Sequence, residues 1–257
     1  MSAAPNPWLV RKREPQRRLR LFCFPYAGGN AFNFMPWQDA FDPSIEVCAI
    51  QLPGRGSRLA EPPFGSMAAL LKAVAPVIAA HSDLPFAFFG HSLGALIAFE
   101  LTRYLRLYGL GGPCHLFVSG CQAPRYRSTS RGLHRMDDAE LVRVLQNFES
   151  TPPEVLASAE LMALVLPTLR ADFALAEEYR YRHGPALSVP MSVFAGTRDQ
   201  NKGPGQVDGW AEETTGQCAV AWFDGGHFFI NNQRDPVLER IGADLRRHYI
   251  TNGEFAA

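Results

Sequence analysis

The sequence has few cysteines and none of the spacings that a cysteine framework requires. The five thiols are odd in number, widely separated and free of any C-x-x-C pair: Cys23, Cys48, Cys114, Cys121 and Cys218. This pattern argues against both a disulfide scaffold and a zinc site. We expect most of these thiols to be small core residues.

Long apolar runs are also missing. No stretch is long enough to cross a bilayer, and the first residues lack the apolar segment of a secretory signal. We therefore expect a cytoplasmic protein with no membrane partner.

Net charge is zero overall but unevenly distributed. The first twenty residues hold six basic side chains and one acidic one, a net charge of +5, which leaves −5 on the rest of the neutral chain. We predict a flexible basic leader over 1–17 and a flexible tail over 251–257. Elsewhere the charges are mixed in sign and form no nucleic-acid reader motif, so no nucleic-acid partner is expected.

Apolar residues make up 47% of the 257-residue chain and fall in short runs between amphipathic stretches. The runs predict buried strands over 18–24, 46–52, 86–89, 114–119, 191–195 and 219–223. Helical spacing predicts helices over 66–81, 95–107 and 236–248, with a kink at Pro76. This alternation indicates an α/β fold with a mainly parallel sheet covered on both faces.

About seventy residues between the strands at 114–119 and 191–195 contain only helical periodicity, which is too long for a plain crossover. The helical patterns cover 137–148, 153–157, 159–164 and 168–179. We predict a helical lid inserted at 125–184, with 18–124 and 185–250 forming the core. Such a lid would lie above the carboxyl ends of the strands, where α/β sheets build binding sites.

A G-x-S-x-G sequence, Gly90-His91-Ser92-Leu93-Gly94, lies between a predicted strand and a predicted helix. In that context it is typical of a nucleophile elbow, a sharp turn that holds the serine in a strained conformation. Glycines are required because side chains at the flanking positions would collide with neighbouring backbone. The pattern nominates Ser92 as a nucleophile.

A serine nucleophile needs a histidine base and an acid that orients it, in the chain order Ser, acid, His. Among the histidines after Ser92, His227 is the best placed, because it lies in a glycine-rich loop after the last predicted strand. Asp199 follows the strand at 191–195 and is the preferred acid. Asp208, at an apparent helix start, and Asp224, a turn residue, remain alternatives.

Attack on a carbonyl builds negative charge on its oxygen, which must meet donors already in position. We expect one donor to be the backbone N–H of Leu93, at the head of the helix after the elbow. The loop at 24–29 ends in two glycines that let backbone approach a substrate. Within it we select the N–H of Ala27 as the second donor.

Six segments along the chain look like landmarks of one family. They are Phe22-Cys23-Phe24-Pro25-Tyr26-Ala27-Gly28-Gly29, Gln51-Leu52-Pro53-Gly54-Arg55-Gly56, Gly90-His91-Ser92-Leu93-Gly94, Thr151-Pro152-Pro153-Glu154, Leu166-Pro167-Thr168-Leu169-Arg170-Ala171-Asp172-Phe173 and Gly225-Gly226-His227-Phe228-Phe229. With these segments the chain resembles the stand-alone, type II thioesterases that accompany polyketide and nonribosomal peptide synthetases. The two segments in the predicted lid are the most specific.

The resemblance implies an α/β-hydrolase fold, a triad of Ser92, Asp199 and His227, and an oxyanion hole at Ala27 and Leu93. It further implies hydrolysis of acyl groups from the phosphopantetheine arm of an acyl or peptidyl carrier protein, through an acyl-enzyme. On this reading the carrier protein is the partner, no metal or organic cofactor is required, and the enzyme is a monomer.

Carrier proteins tend to be acidic, so Arg125, Arg127 and Arg131, just before the lid helices, are candidates for docking. Two other functions fit the same fold. One is a free-standing esterase or lipase acting on small oxygen esters. The other is a noncatalytic binding protein of the hydrolase fold.

Overall fold

A computed structural model of the chain describes residues 6–127, 131–146, 153–200 and 206–250. Within these ranges a seven-stranded sheet forms in the order β1-β3-β2-β4-β5-β6-β7. Its strands are β1 Leu9–Val10, β2 Leu19–Phe24, β3 Ile45–Ile50, β4 Phe86–His91, β5 His115–Ser119, β6 Met191–Gly196 and β7 Cys218–Phe223. Every pairing from β3 to β7 is parallel, and only β1 runs antiparallel to its neighbour. The predicted α/β fold with a mainly parallel sheet is confirmed.

Helices cover both faces of the sheet. They are α1 Met67–Ala79, α2 Leu93–Leu107, α3 Asp138–Leu145, α4 Pro153–Leu156, α5 Ala159–Glu177, α6 Phe229–Asn232 and α7 Arg234–Leu245, after which a π-helical turn spans Arg246–Ile250. One core cluster joins α1, α2 and the buried Trp210 to one face, and a second joins α7 and Trp37 to the other. In the ranges described, none of the helices combines the length and apolar character that crossing a membrane requires.

The strands differ in how completely they are covered. Strands β2 to β6 are buried along their whole length, as expected of apolar runs between two helical layers. The edge strand β7 is not, because Val220 and Trp222 are exposed. Helices therefore cover both faces of the sheet, as predicted, and only part of the edge strand β7 is left exposed.

Part of the N-terminal segment, for which the sequence predicts a flexible leader over 1–17, contacts the sheet. Leu9–Val10 pairs with β3 as an edge strand. The side chain of Glu46 is fully buried, and its Oε2 accepts hydrogen bonds from Arg11 at 3.1 Å and from Arg20 at 2.9 Å. Arg17 approaches the same carboxylate at 3.7 Å. A buried carboxylate needs positive partners, so basic residues of the segment are drawn onto the sheet edge rather than left in solvent.

The region between β5 and β6, which we call the lid, contains α3, α4 and α5. It has a small apolar cluster of its own, which we call the lid cluster. Two helices were predicted over 159–164 and 168–179, whereas α5 runs unbroken from Ala159 to Glu177 with Pro167 inside it. Packing of the flanking Leu166 and Leu169 in the lid cluster offsets the backbone hydrogen bond that the proline cannot make. Part of the predicted helix at 137–148 and the pair Thr151-Pro152 lie outside the described residues.

Several predicted boundaries shift by a few residues. Ser66 caps α1 through a side-chain contact with the Ala69 N–H, and α1 continues through Pro76 to Ala79. Helix α2 begins at Leu93 rather than at Ala95, and α7 begins two residues before position 236. The earlier start of α2 places the N-terminus of this helix directly after Ser92.

Candidate active site

The carboxyl ends of four parallel strands bring the predicted site residues to one edge of the sheet. Phe24 at the end of β2 lies beside Gly90 of β4, and His91 lies beside Ser119 of β5. The last residue of β6 pairs with Phe223 of β7. The loop after β2, the elbow after β4 and the loops after β6 and β7 therefore meet above the same edge.

The backbone at Ser92 has the strained geometry expected of an elbow. Ser92 has φ 56° and ψ −114°, and among the described residues it is the one non-glycine with positive φ. Its N–H donates to the carbonyl of Ser119 at 2.8 Å. A β-carbon on Gly90 would lie 2.1 Å from the Gly94 oxygen, and one on Gly94 would lie 2.1 Å from the Phe24 oxygen. Both glycines are sterically required, as the sequence pattern predicts.

His227 and Asp199 form a direct pair above the ends of β6 and β7. The distance from His227 Nδ1 to Asp199 Oδ2 is 2.8 Å. Asp199 is buried, and the imidazole is about a quarter exposed, with 28% of its side chain accessible. A backbone hydrogen bond of 2.8 Å from Arg198 to Gly225 joins the two loops. The contact leaves Nε2 as the imidazole nitrogen available to a substrate or a serine.

The two rival acids have other surroundings. Asp208 is exposed and opens a 3-10 turn. Asp224 is largely exposed and contacts Arg198 and the Thr197 hydroxyl. Of the three candidates, Asp199 is the acid that the structure brings to His227. The polar connection at 201–205 that follows it lies outside the described residues.

A second histidine, His91, belongs to the site but was given no role by the sequence reasoning. It is completely buried, its Nδ1 lies 2.9 Å from the Ser119 hydroxyl, and its ring centre is 5.2 Å from that of His227. Burial, followed by the neighbouring His227, lowers the pKa of His91 well below its usual range. The ring is therefore neutral at pH 7 and adds no positive charge beside His227.

The loop after β2 makes a tight turn next to the elbow. The Gly29 N–H donates to the Tyr26 carbonyl at 2.9 Å, so Ala27 lies at the tip of this turn and is half-buried. Tyr26 packs edge-on against Phe228, with ring centres 5.0 Å apart. Leu93, the first residue of α2, has one of the N–H groups that a helix leaves without an internal acceptor. Both predicted oxyanion donors thus lie on adjacent segments of the sheet edge.

The lid also contacts this loop, through residues to which the sequence motifs assign no individual role. Asp172 of α5 accepts a hydrogen bond from the Gly28 N–H at 2.8 Å. The same carboxylate pairs with Arg55, whose side chain is buried. The signal available in the sequence was an arginine in one of the family segments and an aspartate in another.

The predicted docking arginines are engaged within the molecule. Arg125 contacts Glu212 at 2.8 Å, and Arg127 donates to the Ala176 carbonyl at 3.0 Å. Arg131 also has an interaction partner in the structure. The Arg125 contact joins the start of the lid to the core, whereas the Arg127 contact joins it to α5 of the lid itself. In the part of the chain that the structure describes, there is no group of three or more His, Cys, Asp or Glu side chains that could hold a metal ion.

The parallel sheet, the strained serine between β4 and α2, and the helical insertion between β5 and β6 define an α/β-hydrolase.

Comparison with known proteins narrows this class. A family model described as a thioesterase domain matches residues 19–245. The gramicidin S biosynthesis protein GrsT of Aneurinibacillus migulanus is 38% identical over 242 residues, which cover 94% of each chain. The type II thioesterase BorB from the borrelidin biosynthetic cluster superposes with a TM-score of 0.86 at 36% identity, covering 95% of this chain and 100% of that one. The thioesterase RedJ from the prodiginine pathway of Streptomyces coelicolor gives 0.85 at 35% identity, covering 95% and 97%.

The chain belongs to the thioesterase family. It is an enzyme that hydrolyses thioesters, and the resemblance read from its sequence motifs is confirmed.

Proposed function

We propose that this enzyme removes acyl groups from the phosphopantetheine arm of acyl or peptidyl carrier proteins, using Ser92, His227 and Asp199 as a catalytic triad. The observation that carries the proposal is the 2.8 Å pair of His227 and Asp199 on the same sheet edge as the strained Ser92. The helical lid between β5 and β6 supplies a cover for an acyl chain.

In the acylation step, Ser92 Oγ attacks the thioester carbonyl while His227 Nε2 takes its proton. Asp199 holds the imidazole through Nδ1 and stabilises the positive charge that it acquires. Collapse of the tetrahedral intermediate breaks the C–S bond, the sulfur takes the proton from His227, and pantetheine leaves as the free thiol. Water activated by His227 then attacks the ester on Ser92, and release of the free acid returns the proton to the serine.

The backbone N–H groups of Ala27 and Leu93 serve as the oxyanion hole in both steps. Leu93 adds the favourable potential at the N-terminus of α2, a helix of 15 residues. Each such donor contributes about 10²–10³ in kcat in serine hydrolases.

The names of the relatives support a carrier-bound substrate. GrsT is named for gramicidin S biosynthesis, and BorB and RedJ come from the borrelidin cluster and the prodiginine pathway. We infer that this chain serves an assembly line of the same kind, in the cytoplasm. We further infer that it acts as a monomer, because the proposed mechanism requires no group from a second subunit.

Intact-protein mass spectrometry of acyl-loaded carrier proteins tests the proposal. We expect the wild-type enzyme to leave the phosphopantetheine arm on the carrier and to remove only the acyl mass. The Ser92→Ala variant should fold and leave every acyl group in place. The same two proteins are assayed in parallel on a small nitrophenyl ester.

Three other results would each contradict the proposal and favour another function or mechanism. A higher kcat/KM for the nitrophenyl ester than for any carrier-bound thioester would point to a free-standing esterase. Full hydrolysis by Ser92→Ala would refute the triad. Carrier binding without turnover by the wild type would identify a binding protein.

A further inference from the structure

The lid helix α5 packs directly on the loop that holds Ala27. Gly28 has φ +76°, and a β-carbon there would lie 2.5 Å from the side chain of Leu169. Leu169 is itself buried in the lid cluster. The turn therefore has its conformation set partly by a helix outside the sheet.

An ion pair between Asp172 and Arg55 strengthens the contact between α5 and this turn. Asp172 Oδ2 accepts from Arg55 Nη1 at 2.6 Å, and Oδ1 accepts from Nη2 at 2.8 Å. This is the two-pronged geometry that suits a guanidinium and a carboxylate best. Both side chains are buried, with 7% and 2% of their surface accessible.

The pair holds the loop by two different backbone groups. Asp172 Oδ2 accepts from the Gly28 N–H at 2.8 Å, and Arg55 Nη1 donates to the Gly29 carbonyl at 3.1 Å. The peptide groups on either side of the Gly28–Gly29 bond are thus fixed by one acceptor and one donor. Ala27 is the residue immediately before them.

Neighbouring side chains hold Arg55 in place. Gln51 Nε2 donates to the Arg55 carbonyl at 2.7 Å, and Gln51 Oε1 accepts from the Ala31 N–H at 2.9 Å. On the lid side, the Thr168 hydroxyl donates to the Gly54 carbonyl at 2.6 Å. The loop after β3, the loop after β2 and α5 therefore form one hydrogen-bonded unit.

We propose that Asp172 and Arg55 are positioning residues that hold the Ala27 N–H in its oxyanion-binding orientation and so couple the lid helix to catalysis. This inference rests on the proposed acyl-transfer mechanism. Because the two side chains act through the backbone, their loss affects the transition state, in which the oxygen carries charge, more than the bound thioester.

The test compares Asp172→Asn with wild type on a small acyl thioester, so that its reading does not depend on any carrier protein. Asparagine keeps the shape of the side chain and removes the charge that holds Arg55. We expect kcat to fall about 10- to 100-fold, a fraction of the loss of a whole donor, with KM changed less than about threefold. Arg55→Lys, which keeps the charge but not the paired geometry, should show a smaller loss of the same kind.

A second readout separates positioning from general damage. An alkyl trifluoromethyl ketone adds to Ser92 Oγ through its carbonyl carbon, and its oxygen becomes an oxyanion in the hole. Its inhibition constant should rise in Asp172→Asn by the same factor by which kcat/KM falls. Asp138→Asn is the matched control, because Asp138 pairs with Arg170 of α5 at 2.6 Å without touching the loop. We expect the kcat, the KM and the inhibition constant of the control to stay within about twofold of wild type.

The positioning role would be overturned if Asp172→Asn had an unchanged kcat, whether its KM was raised or not. Equal losses in Asp172→Asn and Asp138→Asn would also overturn it, since the effect would then belong to the lid in general. Failure of both Asp172→Asn and Arg55→Lys to fold would show that the pair acts in folding instead. Failure of the proposed function is recognised separately, by full activity of Ser92→Ala on the same thioester.

Discussion

A β-carbon added to Gly196 would lie 2.4 Å from the carbonyl oxygen of Gly226, so the loops after β6 and β7 are in backbone contact. Asp199 and His227 are carried by these two loops. Asp199 and His227 can therefore approach each other because Gly196 has no side chain to separate the two loops.

Gly196→Ala should weaken the pair by pushing the two loops apart. We expect kcat to fall at least about tenfold and the free energy of unfolding to drop by about 1–3 kcal/mol, the usual cost of overpacking. Steady-state kinetics and urea unfolding measure the two effects. Gly112→Ala, where no atom lies within 4 Å of the added carbon, is the control and should match wild type. Wild-type kcat in Gly196→Ala would mean that the loops yield without moving the pair.

Asp199→Asn should lower kcat about 10³- to 10⁴-fold with little change in stability. The amide cannot stabilise the imidazolium, and it favours the tautomer of His227 that cannot accept a proton from Ser92. Single-turnover kinetics on a small acyl thioester measure the loss. Asp224→Asn and Asp208→Asn are matched controls on exposed carboxylates, and we expect both to retain wild-type kcat. A larger loss in either control than in Asp199→Asn would reassign the acid.

His91 should make the fold sensitive to mild acid. In the unfolded chain this histidine takes up a proton near pH 6.5, whereas its buried ring stays neutral to lower pH because burial and His227 lower its pKa. The unfolded state thus binds more protons below pH 6.5, and the free energy of unfolding falls there by at most about 1.4 kcal/mol per pH unit for this group.

Urea unfolding between pH 7.5 and pH 5 tests this effect. His91→Asn, whose amide can still reach the Ser119 hydroxyl, should show a shallower dependence on pH even though its stability at pH 7.5 is lower. The exposed His183→Asn is the control and should keep the wild-type slope. Identical slopes in all three proteins would exclude His91 as the source.

Glu46→Gln should detach the N-terminal segment and destabilise the fold. It removes the one carboxylate shared by Arg11, Arg17 and Arg20 and leaves the buried Arg20 with Asp83 alone as its anionic partner. We expect a loss of about 3–5 kcal/mol in the free energy of unfolding, the range for breaking a buried ion pair. Limited proteolysis should then cut before residue 18. Lys12→Gln, which breaks an exposed pair with Asp39, should change neither measurement.

The order of strands and helices could be predicted from the sequence because it depends on local signals. Apolar runs between turn residues mark β2 to β6, and the strand-to-helix setting of the G-x-S-x-G pattern marks Ser92. The choice of Asp199 and His227 followed from their positions after strands, which meet at one edge in a parallel sheet.

The parts that sequence could not predict depend on partners far apart in the chain. Charges at the N-terminus looked solvated because Glu46 lies inside an apolar strand, where its need for counter-charges is invisible locally. The Arg55–Asp172 pair joins positions 117 residues apart. The sequence predicts two helices at 159–164 and 168–179 where the structure has one, since the apolar cluster that holds α5 together is a tertiary feature.

Helix α5 belongs to the helical insertion between β5 and β6 and also contacts the turn at Gly28, through Leu169 and Asp172. An exchange of lids between two relatives, made to change which acyl chains are accepted, therefore also exchanges the contacts that Leu169 and Asp172 make with the turn at Gly28. Such a chimera retains its rate only if the incoming helix brings a carboxylate that meets Arg55, whereas α3 and α4 can be replaced without that condition.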